Sequence, residues 1–456
     1  MINQKITAGF VGFGEVNTPR EIIGKKCREA AALIESLGIS VRATAPVSDD
    51  PAGNQADCAI AELKKMDFDF LIVCVAGWIP SWAVIRVIEP FKHKPMLLWG
   101  LTGYREGDRF ITTADQAGTT ALRRPMQDMK FRFKYLVNRL GESAPADEIT
   151  SFARAAAAVE KLRQAKIGMA GYRDMRLFGT LYDGVSLKTR IGPEIEHFDL
   201  LEIAQSMETL TDTDIAAPIS RIRKNWKFIK EPKPETLRDT ARLYLALKRK
   251  IEERGYEAIS YADVDGVKKL LKFAPAGALT LLHDNMTICS IPENDSMGAV
   301  TQLIVRFLTG QVAAYLEFYE FTRNGALMGV PDYVPGEVVK GKVTILPSAF
   351  GGFGEGLLNV SKLKTGPVTI ARLGYSGDNY FLHMMTGTAK TPLKWEEAGW
   401  APPAPQLPSL EIDFDSDPDS FIQNVLGQHY ILAYGDQRGV YRDLCALLDI
   451  KLIGAG

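Results

Sequence analysis

The chain reads as an α/β protein: two doubly wound parallel-sheet domains followed by a mainly β, barrel-like C-terminal domain. Three observations predict this. Apolar runs alternate with amphipathic helical stretches from Ile6 to Trp99, the pattern of strands joined by crossover helices. A second such alternation starts at Lys166. From Gly336 onward the chain is rich in β-branched residues broken by Gly and Pro turns, as in short antiparallel strands. At 456 residues the chain exceeds one ordinary hydrophobic core. The expected division is 1–165, 166–335 and 336–456.

Taken in order, strands are expected at Ile6–Val11, Ser40–Ala45, Phe70–Val75 and Met96–Trp99. The third is nearly all apolar, as suits a strand covered on both faces. Helices run from about Pro19 to Leu37, where Gly38 provides a C-terminal cap, then over Ala56–Lys65 and through Ala83–Val87. Two helical stretches follow near 115–139 and 147–165. In the middle segment Ile167–Gly171 and Ala258–Tyr261 are strands and Glu235–Glu253 is an amphipathic helix. Val368–Leu373 and Tyr380–Met385 flank Ser376-Gly377-Asp378-Asn379, a hairpin signal. Four prolines within 401–408 form a stiff excursion. The tail is expected as a helix near 418–426, a strand at 429–433 and a helix at 438–447.

Composition excludes several functions. A formal net charge of −1 with 24% charged residues gives none of the basic excess of a nucleic-acid binder. No apolar run reaches the 18 or so residues of a membrane span. The N-terminus lacks a signal-peptide pattern. Five cysteines are scattered, with no metal-type CxxC pair and an odd count, which fits a reducing, cytoplasmic compartment.

Gly12-Phe13-Gly14 opens like a dinucleotide fingerprint, but Asn17 replaces the third glycine. Arg42-Ala43-Thr44 stands where an acidic ribose partner belongs. An NAD-dependent dehydrogenase is therefore the weaker alternative. The same loop can contact a small molecule at the carboxyl edge of an open sheet, where such folds place ligands. Glu15 and Trp78 lie just beyond strand ends, on one rim.

Two carboxylates have apolar surroundings. Glu293, in Ile291-Pro292-Glu293-Asn294-Asp295-Ser296, precedes a helix that Asp295 or Ser296 can cap and Gly310 can close. Glu317, in Tyr315-Leu316-Glu317-Phe318-Tyr319, sits on a strand. Period 2 places it on one face with Tyr315 and Tyr319, ahead of an Asn324-Gly325 turn. Of the histidines, His429 opens a strand, while His283 and His383 suit structural roles. Carboxylates with one imidazole suit Mn²⁺ or Mg²⁺ better than structural zinc.

Together these segments resemble the L-fucose/L-arabinose isomerase superfamily. Glu293-Asn294-Asp295, with the following helix ending at Thr309-Gly310, resembles the stretch carrying that family's first metal carboxylate. Leu316-Glu317 matches the second. Gly427-Gln428-His429-Tyr430, with a helix and Leu448-Asp449-Ile450, resembles the ligand-histidine segment. Asp199-Leu200-Leu201-Glu202-Ile203 fits the central domain. Gly325-Ala326-Leu327-Met328 lacks the further ligand histidine of the arabinose type.

The resemblance implies a metal-dependent aldose–ketose isomerase working through a cis-enediol. Glu293, Glu317 and His429 would hold Mn²⁺, or another divalent cation such as Mg²⁺ or Co²⁺, and Glu293 and Glu317 would also act as acid and base. It further implies that Glu15, Trp78 and Gln116 contact the sugar from the first domain of a neighbouring subunit. The expected assembly is a homo-oligomer, a hexamer or trimer, with no nucleic-acid or membrane partner. A non-catalytic sugar-binding protein is the main alternative.

Overall fold

The computed structural model describes residues 5–286, 288–329, 334–349, 354–377, 379–394 and 409–454. The proline-rich stretch 401–408 lies outside these. Two compact units emerge: residues 2–160 with 439–449, and residues 161–438 with 450–456.

The first unit is built on β1 (Ile6–Phe13), α1 (Arg20–Ser36), β2 (Ile39–Ala43), α2 (Asn54–Leu63), β3 (Phe70–Val75), α3 (Ser81–Ile88), β4 (Met96–Gly100) and α4 (Asp115–Asp128). Strand β5 (Phe133–Val137) completes an all-parallel sheet of order β2-β1-β3-β4-β5. Every residue of β3 is buried, as its apolar run predicts. The helix expected across 115–139 ends early. Lys130 takes a left-handed backbone, φ +62°, and the residues after it alternate apolar and polar with period 2, which suits a strand. The order reverses direction at the β1/β3 junction, so the crevice beyond those carboxyl ends is the ligand position of an open sheet. Helix α5 (Ala146–Gln164) follows. Helix α8 (Arg438–Leu448), far along the chain, is tied into this unit: Asp443 accepts from Lys134 Nζ (2.9 Å) and Ser151 Oγ (2.7 Å).

The second unit has a parallel sheet of β6 (Lys166–Ala170), β7 (Glu194–Phe198), β8 (Ala258–Tyr261) and β9 (Cys289–Pro292) in the order β9-β8-β6-β7. Helices α6 (Pro234–Arg254) and α7 (Ser296–Thr309) accompany it. Six further strands pair antiparallel with one another: β10 (Ala314–Thr322), β11 (Gly325–Gly329), β12 (Gly366–Ser376), β13 (Asn379–Lys390), β14 (Leu410–Phe414) and β15 (His429–Tyr434). Their order, β12-β15-β10-β11-β14-β13, closes through a β12–β13 pairing into a six-stranded barrel, which leaves no open edge among them. Both hairpin signals fall at chain reversals: β10–β11 turns through Arg323-Asn324, one residue ahead of the Asn-Gly signal, with Gly325 already paired to Thr322, and Ser376 pairs with Asn379. The strand carrying Glu317, grouped with the middle segment in the sequence reading, hydrogen-bonds into the barrel. Helix α7 ends at Gly310, φ +71°, and the chain reverses there into the barrel ladder.

Candidate active site

The carboxyl ends of β6, β8 and β9 hold Glu293 in place. Glu293 and Asn294 both take left-handed backbones, φ +67° and +50°, which costs an L-residue roughly 1–3 kcal/mol each. Local hydrogen bonds offset this. Glu293 N donates to Asp263 Oδ1 (3.0 Å) and Asn294 N to Ser260 Oγ (3.0 Å). Asn294 Nδ2 donates to the carbonyls of Ala170 (3.0 Å) and Tyr172 (2.6 Å). Asp263 is buried against Lys268 Nζ at 2.9 Å. Burial first, with Asp174 adding and Lys268 opposing, raises its pKa to about 6.

Asp295 caps α7, accepting from Gly298 N at 3.0 Å. Its carboxylate also takes a bidentate pair from Arg372, at 2.7 and 2.8 Å, the geometry in which a guanidinium pairs most strongly. Burial pushes the Asp295 carboxyl up, but Arg372 outweighs it and the pKa ends below the usual value. Arg372 Nη1 donates in addition to the His429 carbonyl, 2.9 Å. Gly427 makes room for this arginine, since a Cβ there would meet Arg372 Nε at 2.4 Å.

His429 stacks on Tyr315 with ring centroids 4.2 Å apart. The Tyr315 hydroxyl lies 2.6 Å from His429 Nδ1 and donates to Asp295 Oδ2 at 3.1 Å. Burial holds His429 down at a pKa of about 3, so the ring is the neutral imidazole a metal requires. Burial and the carboxylates of Asp295 and Glu293 push the Tyr315 phenol well up.

Glu293 Oε2 stands 3.9 Å from His429 Nδ1. Glu317 is the direct antiparallel partner of His429 in the β10–β15 ladder, so both side chains leave the same face, with Cβ atoms about 4.5–5.5 Å apart. The structure thus brings the three predicted residues into one neighbourhood. Two carboxylates and a neutral imidazole fit a hard or borderline divalent cation in kind. Among the described residues, no three His, Cys, Asp or Glu side chains are already grouped as a metal-ligating set.

On the first unit, Glu15 and Trp78 share the rim at the switch crevice: Glu15 N donates to the Trp78 carbonyl at 2.7 Å. Trp78 is 40% exposed. Glu15 also lines a cleft of about 220 Å³ with Gly14, Arg20 and Gln55. Gln116 is placed differently. Its Nε2 donates to the carbonyls of Leu101 (2.7 Å), Gly100 (3.2 Å) and Asn138 (3.4 Å), bracing the ends of β4 and β5. The glycines of the first loop answer to packing. Gly12 lies inside β1, and a Cβ there would meet Cys27 Sγ at 2.2 Å; at Gly14 it would meet Ile23 at 2.4 Å. His283 bonds Ser290 through Nε2 (2.8 Å to the carbonyl), and His383 bonds Tyr430 Oη (2.6 Å); both fill structural roles.

Sequence reasoning missed Arg372, Tyr315 as the partner of His429, and Asp263 beneath Glu293. Only Arg372 left a signal: one arginine within Thr369-Ile370-Ala371-Arg372-Leu373 must find a buried counter-charge.

The carboxylates and the buried imidazole gather where a parallel-sheet edge meets an antiparallel barrel, and groups of these kinds can exchange protons with a ligand. Comparison with known proteins identifies the class. Sulfoquinovose isomerase of Priestia aryabhattai is 21% identical over 313 residues, covering 67% of this chain and 68% of that protein. The Priestia megaterium enzyme of the same name matches equally. L-arabinose isomerase of Salmonella paratyphi A is 23% identical over 321 residues, covering 66% of this chain and 61% of that enzyme. The chain is therefore a distant homologue of isomerases of the fucose/arabinose isomerase superfamily. No protein-family model matches it. Among solved structures, a periplasmic sugar-binding protein of Legionella pneumophila aligns with a TM-score of 0.18 at 10% identity, covering 67% of this chain and 96% of that one; so low a score carries no argument.

Proposed function

We propose that the chain is a divalent-metal-dependent aldose–ketose isomerase acting on an open-chain monosaccharide through a cis-enediol. The observation that carries this is the meeting of Glu293, Glu317 and His429 at one place, in a homologue of sugar isomerases. These three residues would hold Mn²⁺, or Mg²⁺ or Co²⁺ in its stead. When bound, such a cation supplies Lewis-acid stabilisation of charge on the sugar oxygens.

Glu293 and Glu317 do the proton work. One carboxylate takes the proton from C2; the C2–H electron pair becomes the C1=C2 bond of the enediol while the C1=O1 π pair moves onto O1, which gains a proton. The carboxylate then delivers its proton to C1, the C1=C2 pair forming that C–H bond, while the O2–H pair becomes the C2=O2 bond; the other carboxylate carries the hydroxyl proton from O2 to O1. No redox partner is needed, since the oxidation of C2 balances the reduction of C1.

The proposal extends to the setting. Glu15 and Trp78 would wall the sugar from a neighbouring subunit, Gln116 bracing that rim, in a homo-oligomer that is a hexamer or trimer. The compartment would be the cytoplasm: all five cysteines are free thiols, and no helix among the described residues is long and apolar enough to cross a membrane. Neither nucleic acid nor membrane would be a partner.

The test is a panel of aldoses with Mn²⁺, including L-arabinose, L-fucose and sulfoquinovose, read as ketose formation. Turnover of at least one sugar, lost on chelation and restored by Mn²⁺, is expected. Binding of a sugar with no ketose from any would replace the isomerase by a sugar-binding protein.

A further inference from the structure

We propose that Tyr315 is a positioning residue that, backed by the Asp295–Arg372 ion pair, fixes His429 in its Nδ1–H tautomer and so leaves the ring's lone pair on Nε2. The inference rests on the isomerase reading for its purpose, but not for its geometry.

The argument is one of proton counting. Asp295 is buried, and both its oxygens receive Arg372, at 2.7 and 2.8 Å. A carboxylate so paired is an acceptor only. The Tyr315 hydroxyl lies between Asp295 Oδ2 at 3.1 Å and His429 Nδ1 at 2.6 Å. It owns a single proton. Given to Nδ1, that proton would leave the hydroxyl oxygen facing an anionic oxygen with no hydrogen between them, in a buried pocket where such a contact is costly. Given to Asp295, it leaves the hydroxyl oxygen free to accept from Nδ1–H, and both contacts of the hydroxyl are then hydrogen bonds.

The rest of the network holds this register. Arg372 Nη1 also donates to the His429 carbonyl at 2.9 Å, so a single side chain grips Asp295 and the backbone that carries the ring. The ring stack of 4.2 Å limits rotation of the imidazole. Tyr315 lies two residues before Glu317 on the same strand face, so the residue that orients the histidine is built into the strand that presents the second carboxylate. A histidine whose tautomer is preset offers its lone pair without rearrangement, the role hydrogen-bond partners play around metal-ligating imidazoles.

The test uses the full-length protein labelled with ¹³C,¹⁵N-histidine and magic-angle-spinning NMR, with His429→Gln supplying the assignment. In the wild type His429 should carry its proton on Nδ1. In Tyr315→Phe, which keeps the ring stack, the proton should move to Nε2 wholly or in part, while the other four histidines keep their signals. A wild-type His429 protonated on Nε2 overturns the proposal, and that spectrum decides even if the variant folds poorly. An unchanged Nδ1–H signal in Tyr315→Phe overturns it as well. Mn²⁺ titration then reads the consequence: affinity should fall ~10–100-fold in Tyr315→Phe, the usual cost of losing an outer partner. Equal affinity in the two proteins overturns the positioning role. A wild type with the Nδ1–H tautomer, lost in Tyr315→Phe, that binds no Mn²⁺ supports the positioning role and removes the metal from the proposed function.

Discussion

The rim of the first unit and the histidine pocket of the second hold their polar side chains by opposite means. At the rim, Glu15 and Trp78 are joined through backbone atoms, and the indole is left 40% exposed. Around His429, side chains hold side chains: Arg372 grips Asp295, Asp295 accepts a hydrogen bond from the Tyr315 hydroxyl, and Tyr315 meets His429, all of them buried. The rim is an open surface, where Glu15 Oε2 accepts only from its near neighbour Asn17 among the described residues, at 3.4 Å. The pocket is pre-organised before any ligand arrives, which is what chemistry on a bound sugar demands. Substitutions in the pocket should therefore act on turnover and folding, and those at the rim on substrate affinity.

The sharpest break of this contrast is Glu317→Gln. The change keeps volume and removes the proton acceptor. Turnover should fall by ~10²–10⁴-fold, with the melting temperature little altered. Steady-state rates and a thermal melt check it; near-normal turnover would take Glu317 out of the chemistry.

Next in size is Arg372→Met. It strands the buried Asp295 carboxylate, and breaking one side of such a pair costs about 3–5 kcal/mol. Chemical denaturation should show the loss. The double variant Asp295→Asn with Arg372→Met should recover part of it, because the stranded charge is then gone. Equal stability of single and double variants would mean that the pair contributes little to the pocket's rigidity.

Much of this was legible in the sequence, for a physical reason. Parallel strands such as Phe70–Val75 announce themselves because both faces are covered, and the β10–β11 reversal is marked by Gly325, whose missing Cβ admits the Ile412 carbonyl, 1.9 Å from where a Cβ would stand. Glu293, Glu317 and His429 were singled out by local patterns (a carboxylate before a capped helix, one on an alternating strand, an imidazole at a strand start) joined to the family resemblance, and the structure sets Glu293 and Glu317 beside His429. What stayed hidden depends on pairings far apart in the chain. Arg372 reaches Asp295 across 77 residues and Tyr315 reaches His429 across 114, and local periodicity says nothing about barrel register. The strand at Phe133–Val137 was missed for another reason: a five-residue alternation is too short to outweigh the helical stretch before it.

The smallest expected effect probes the rim. Trp78→Ala should leave the fold intact, because an indole 40% exposed contributes modestly to its own core. If Trp78 stacks on the sugar, KM should rise by roughly 2–10-fold, the equivalent of about 0.5–1.5 kcal/mol for an aromatic contact. A fall in kcat would mean that stacking also aligns the open chain. A Trp78 that merely packs within its own unit would lower the melting temperature and leave KM alone. Mixing Trp78→Ala with Glu317→Gln protein under subunit exchange separates a shared pocket from a private one. With pockets shared between subunits, some mixed sites combine an intact Trp78 with an intact Glu317, and the catalytic efficiency of the mixture should exceed the mean of the two parents. With private pockets, every site carries one lesion or the other and the mixture stays at that mean. Exchange confirmed by mass without any gain would place Trp78 in its own subunit's site or outside any site.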